Sequence, residues 1–98
     1  MGAPVSTVTT GTSFTLGQAD ILVAPIYINP TANIVVTLPT SLEGGGQWIW
    51  HVGTGFTITV NFPDATTLII LAAGERCYLQ TYLDTSNVPQ WATSVFAL

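Results

Sequence analysis

The sequence contains no lysine. Arg76 is its only strong base, His51 its only histidine, and five carboxylates (Asp20, Glu43, Asp64, Glu75, Asp84) complete the charged set. Charged residues make up 6% of the 98 positions, against roughly 25% in an ordinary soluble domain. A net charge of −4 with one permanent cation cannot neutralise a phosphate backbone, which excludes a nucleic-acid partner. Polybasic attachment to an anionic membrane fails for the same reason. Lysine commonly guards sheet edges and is depleted at interfaces. A surface without it is therefore expected to end up largely covered by other chains.

Cysteine is nearly absent too. Cys77 stands alone, so no internal disulfide forms and no oxidising compartment is implied. The opening MGAPVSTVTTGTSF lacks the basic and apolar regions of a secretory signal. No apolar run reaches the length of a membrane-spanning helix, and the longest, ATTLIILAAG, reads as a buried strand. A soluble chain made in a cytoplasm is expected.

Helical periodicity is missing as well. No segment carries apolar residues at i, i+3, i+4 and i+7, and threonine and valine crowd every candidate. What is present is period-two alternation, punctuated by Gly, Pro, Asn and Asp. Strands are expected near 5–10, 13–16, 33–39, 47–52, 56–62, 67–71, 76–83 and 91–97. Segment 21–28 contains Pro25, which cannot donate to a ladder, and is expected at an edge or bent. QWIWHV (47–52) and FTITVNF (56–62), separated by GTG, read as a hairpin. The fold class is all-β, an antiparallel sandwich or open barrel-like meander over residues 21–98. Residues 1–20, small and polar, are expected to form an extended N-terminal arm.

The densest cluster of distinctive side chains is QWIWHV. Alternation places Trp48, Trp50 and Val52 on one face and Ile49 and His51 on the other. Across the expected hairpin the tryptophans meet Phe56, Ile58 and Val60, so these five are expected as core or trimer interface. An aromatic platform for sugar stacking is the alternative, with Gln47 and Asn61 its only polar support. His51 and Cys77 could form a nucleophile–base pair only with an orienting acid, and Cys77 alternates with Leu79 as a small hydrophobe would. One histidine and scattered carboxylates supply no metal-ligand spacing. The acids sit in turns, and no paired-carboxylate site can be drawn. Gly44–Gly46 is not followed by the Lys of a phosphate loop. No enzymatic activity, cofactor or metal is expected.

The order of segments carries a resemblance. VVTLP (35–39), a Gly-rich turn, an aromatic strand, GTGFTITV (53–60), an apolar strand, AAGERCYL (72–79) and a late Trp91 together resemble small β-modules of tailed-phage virions. Such modules occur in head decoration (cement) proteins and in tail-fibre segments. The likeness covers about residues 33–95. It implies a viral structural protein that forms a homotrimer on the capsid surface of a phage head and clamps the major capsid protein. On that reading the arm from Ala3 to Phe14, with Ala3, Pro4, Val5, Val8 and Phe14, contacts the capsid. A chain that opens on Met and shows no shaft or attachment domain is expected to be a decoration protein. A tail-fibre or glycan-receptor module is the alternative.

Overall fold

A computed structural model of the chain describes residues 7–16, 25–39 and 46–97. Among these there is no helix. The described residues form nine strands: β1 (Thr7–Thr10), β2 (Phe14–Thr15), β3 (Ile26–Pro30), β4 (Ile34–Thr37), β5 (Gly46–His51), β6 (Ile58–Asn61), β7 (Thr67–Leu71), β8 (Glu75–Leu83) and β9 (Pro89–Ala97). They form two mixed sheets, a five-stranded one in the order β1-β3-β5-β8-β9 and a four-stranded one in the order β2-β4-β6-β7.

The strands before β7 alternate between the sheets. β1, β3 and β5 lie parallel in one sheet, and β2, β4 and β6 lie parallel in the other. Partners such as Thr7 and Tyr27, Phe14 and Val36, or Ile34 and Ile58 are therefore one full winding apart. The result is three stacked coils, each a strand of one sheet followed by a strand of the other. A parallel pair needs a long crossover, and here the strand of the opposite sheet supplies it. The last three strands then pair antiparallel, β7 on β6, β8 on β5 and β9 on β8.

The expected antiparallel meander is thus corrected. The GTG segment does not close a hairpin, because β5 and β6 belong to different sheets and residues 52–57 turn a corner between them. β3 begins after Pro25 and lies between β1 and β5, so it is an interior strand rather than an edge. Of the segment 1–20 expected as an extended arm, residues 7–10 and 14–15 are edge strands paired with β3 and β4. Residues 1–6 and 17–20 lie outside the described residues.

In-register stacking builds the core in columns. In one sheet Val36 lies between Phe14 and Val60, and Ile34 is beside Ile58, which faces Leu71. In the other, Ile28 is beside His51, and Ile49 lies beside Ile26 and Cys77. All these columns contribute to a single apolar cluster with Leu16, Leu38, Leu79 and Trp91. A bulge between Val60 and Asn61 leaves Leu68 as the extra residue on β7, and both Leu68 and Ile69 pack on the cluster. Polar side chains stitch successive coils at their corners. Ser13 Oγ accepts the amide of Val35 at 2.9 Å, and Asn33 Oδ1 accepts that of Thr57 at 3.0 Å. The indole Nε1 of Trp91 donates to the Pro39 carbonyl at 3.1 Å and ties β9 to the end of β4.

Ile49 lies at the junction of parallel and antiparallel pairing, fully buried. Ile49→Ala is expected to lower stability by about 2–5 kcal/mol through the cavity it leaves. Val8→Ala, on the exposed edge strand, should cost well under half of that; urea unfolding of the two variants measures the contrast.

Candidate functional site

The outer face of the five-stranded sheet carries the chain's main aromatic surface. Period-two alternation turns Ile49 and His51 of β5 into the core and leaves Trp48 and Trp50 half-buried on the outside. Parallel register sets Tyr27 beside Trp50, with ring centroids 5.6 Å apart and planes at 48°. Antiparallel register sets Tyr78 beside Trp48, at 5.0 Å and 55°. The two indoles themselves lie 6.4 Å apart. Tilted pairs at such separations gain about 0.5–1.5 kcal/mol each beyond area burial. Arg76, opposite Trp50, places its guanidinium carbon 4.7 Å from the Trp50 ring centroid and 5.9 Å from that of Trp48. The only strong base of the chain is thereby laid across the aromatic surface as a cation–π partner.

The five residues expected to share one face are divided. Ile58 and Val60 are fully buried on the inner side of β6 in the four-stranded sheet. Trp48 and Trp50 are on the outer side of the other sheet. Phe56 lies in the corner, 53% exposed, with φ at 67°. The structure instead assembles Tyr27, Tyr78 and Arg76 around the tryptophans, none of which the sequence reading singled out for this surface. The signal was their register: Tyr27 precedes Trp50 by one coil.

His51 is fully buried and has both ring nitrogens engaged. The Gly53 amide donates to Nδ1 at 3.2 Å, which makes Nδ1 an acceptor and leaves Nε2–H to donate to the Phe56 carbonyl at 3.0 Å. Its own carbonyl accepts the Gly74 amide at 3.1 Å. The imidazole thus holds the corner between β5 and β6, including the left-handed Phe56. Gly53 is required there by space, since a Cβ would stand 2.7 Å from Asn29 Oδ1 and 3.1 Å from Pro30 Cδ. Cys77 is also fully buried, and burial pushes its thiol up to about 11. Its polar neighbours are Thr93 and the Ile49 backbone, not His51. Among the described residues no three His, Cys, Asp or Glu side chains gather as a metal site would need.

Two clefts open at the ends of the coil stack. One, of about 370 Å³, is lined by Val8, Phe14, Leu16 and Ile26 at the first coil, where none of the described strands stacks further on it. Val8 is 43% exposed there and Phe14 half-buried; Ala3, Pro4 and Val5 lie outside the described residues. The other, of about 430 Å³, lies between the β6–β7 turn and the start of β9, with Trp91 and Phe62 in its wall and Asp64 and Gln90 at its rim.

Asp64 and Asp84 are turn residues whose carboxyls are held below the ordinary aspartate range. Thr66 hydroxyl and amide bonds do this for Asp64, and the Val88 and Ser86 amides with the Gln90 side chain do it for Asp84. A depressed folded-state pKa contributes stability above the unfolded value of 3.8 that disappears as pH falls through the folded value. Acid titration of stability should therefore show a loss confined to the region below that value, and Asp84→Asn should flatten it. His51→Ala should lower stability by about 2–4 kcal/mol at neutral pH, through the cavity and the unpaired Gly53 and Phe56 groups. A thiol reagent should leave Cys77 unmodified in the folded protein and react with it in urea.

No family model, curated protein or solved structure matches this chain, so the reading of its surfaces rests on their own chemistry.

Proposed function

We propose that this chain is a structural protein of a phage virion, a capsid decoration protein that acts by contact area rather than by chemistry. Its homotrimer would sit on the outer surface of the head and clamp the major capsid protein. The observation that carries this reading is the outer face of the five-stranded sheet. Tyr27, Trp50, Trp48 and Tyr78 form one continuous surface across β3, β5 and β8, with Arg76 as its charge among the described residues. Aromatic residues and arginine are the types enriched where protein surfaces meet. A surface so poor in charge also opposes self-association with little electrostatic repulsion. Many copies on one shell would multiply a weak contact into firm attachment.

A tail-fibre or receptor-binding module is the second reading. It is supported by the parallel coil stack, with β1 and β2 at the edges of the two sheets among the described strands, because coiled β-structures extend by adding units end to end.

Light scattering on a sizing column tests the assembly. The expected native mass is three times the 10.4 kDa chain, dropping to a single chain in the Trp48→Ser, Trp50→Ser double variant while the β-sheet circular dichroism is retained. A monomeric wild-type protein removes the homotrimer. Co-sedimentation with undecorated phage heads then separates decoration, which requires saturable binding, from a fibre role, which does not.

A further inference from the structure

We infer that the cleft between the β6–β7 turn and the start of β9 receives an arginine or lysine side chain from a partner protein that is not a copy of this chain. The cleft holds about 430 Å³, within the usual range for a binding site. Its walls are Phe62, Pro63, Pro89 and Trp91, apolar surfaces against which the stem of a long cationic side chain can lie. Its rim is a set of acceptors. Asp64 Oδ1 accepts the Thr66 hydroxyl at 2.6 Å and the Thr66 amide at 3.0 Å, while Oδ2 accepts nothing among the described residues. Both bonds favour the ionised carboxylate.

Side-chain donors are few in the cleft. The Thr66 hydroxyl proton goes to Asp64, and the Gln90 amide nitrogen gives one of its two hydrogens to Asp84 Oδ2 at 3.2 Å, which leaves a single amide N–H. The Gln90 carbonyl oxygen is left as a further acceptor. A site of acceptors and aromatic walls without free hydroxyl donors fits a ligand that only donates. Arginine and lysine are such ligands. An anion would meet Asp64, and a sugar hydroxyl would need partners of both kinds.

The identity of the partner follows from composition. This chain has no lysine, and its one guanidinium lies over Trp50 on the outer face of the five-stranded sheet. A second copy therefore has no basic side chain to insert. A different protein, presenting a basic side chain to a surface of net charge −4, does. The cleft and the aromatic face are separate surfaces, so this inference holds whether or not the chain self-associates.

The test is nitrogen-15 NMR of the native protein titrated with the peptide acetyl-Gly-Arg-Gly-amide. Saturable shifts are expected at the Trp91 indole and the Gln90 side-chain amide. They should vanish with the citrulline peptide, which keeps the shape and loses the charge. They should weaken about fivefold in Asp64→Asn and further with added salt. Retention of the remaining resonances shows that the variant is folded. No saturable shift with the arginine peptide overturns the inference. So does an equal response to the citrulline peptide, or a response only to a methyl glycoside, which would assign the cleft to a sugar.

Discussion

The amide of Val52 reaches the carbonyl of Ile28 at 2.9 Å, and with that bond the third coil is set in register on the second. The column Ile28 to His51 and the outer pair Tyr27 to Trp50 both follow from it, because parallel strands align like positions on the same face. The chain must leave β5 immediately afterwards and cross to the other sheet. It does so within six residues, through Gly53 pressed against Asn29 and Pro30 and Phe56 in a left-handed conformation. A backbone so tightly folded exposes a carbonyl and an amide to the core side. His51 is the side chain that satisfies both. A purely apolar residue at this position would leave these two part-buried groups unpaired, which explains why, among the described residues, the one polar side chain that is fully buried is found here.

The same strand builds two different surfaces. Inward, Ile49 and His51 join the core; outward, Trp48 and Trp50 make the aromatic face with Tyr27, Tyr78 and Arg76. A strand apolar on both sides is usual where both faces are covered. Here one face joins the core and the other carries the half-buried aromatic surface. That division accounts for a high apolar content in a chain whose own core needs only part of it.

The all-β class and the places of several strands were legible from alternation and turn residues; the stretches 67–71 and 76–83 are strands as read. The pairing was not, because alternation has the same period in parallel and antiparallel sheets. Short polar connections such as GTG read as hairpins although they turn corners. A subtler signal was present. Phe14-Thr15-Leu16, Val36-Thr37-Leu38 and Val60-Asn61-Phe62 repeat one pattern at successive windings, as their registers display. The aromatic face was half legible. Alternation correctly separated Trp48 and Trp50 from Ile49 and His51, but the expected hairpin set the tryptophans against Phe56, Ile58 and Val60, as core or subunit interface. The corner bonds of His51, which decide the matter, depend on residues that are close only after folding.

The scarcity of basic residues has one consequence for how this fold meets proteases. Trypsin cuts after lysine or arginine, so the whole chain offers it a single bond, Arg76–Cys77. That bond lies inside β8, hydrogen-bonded to β5 on one side and β9 on the other. Trypsin needs an extended, unpaired segment, and here it can obtain one only by freeing β8 from β5 and from the edge strand β9. Tryptic cleavage of this protein therefore requires β8 to leave both β5 and β9, and fraying of loops elsewhere gives trypsin no bond to cut.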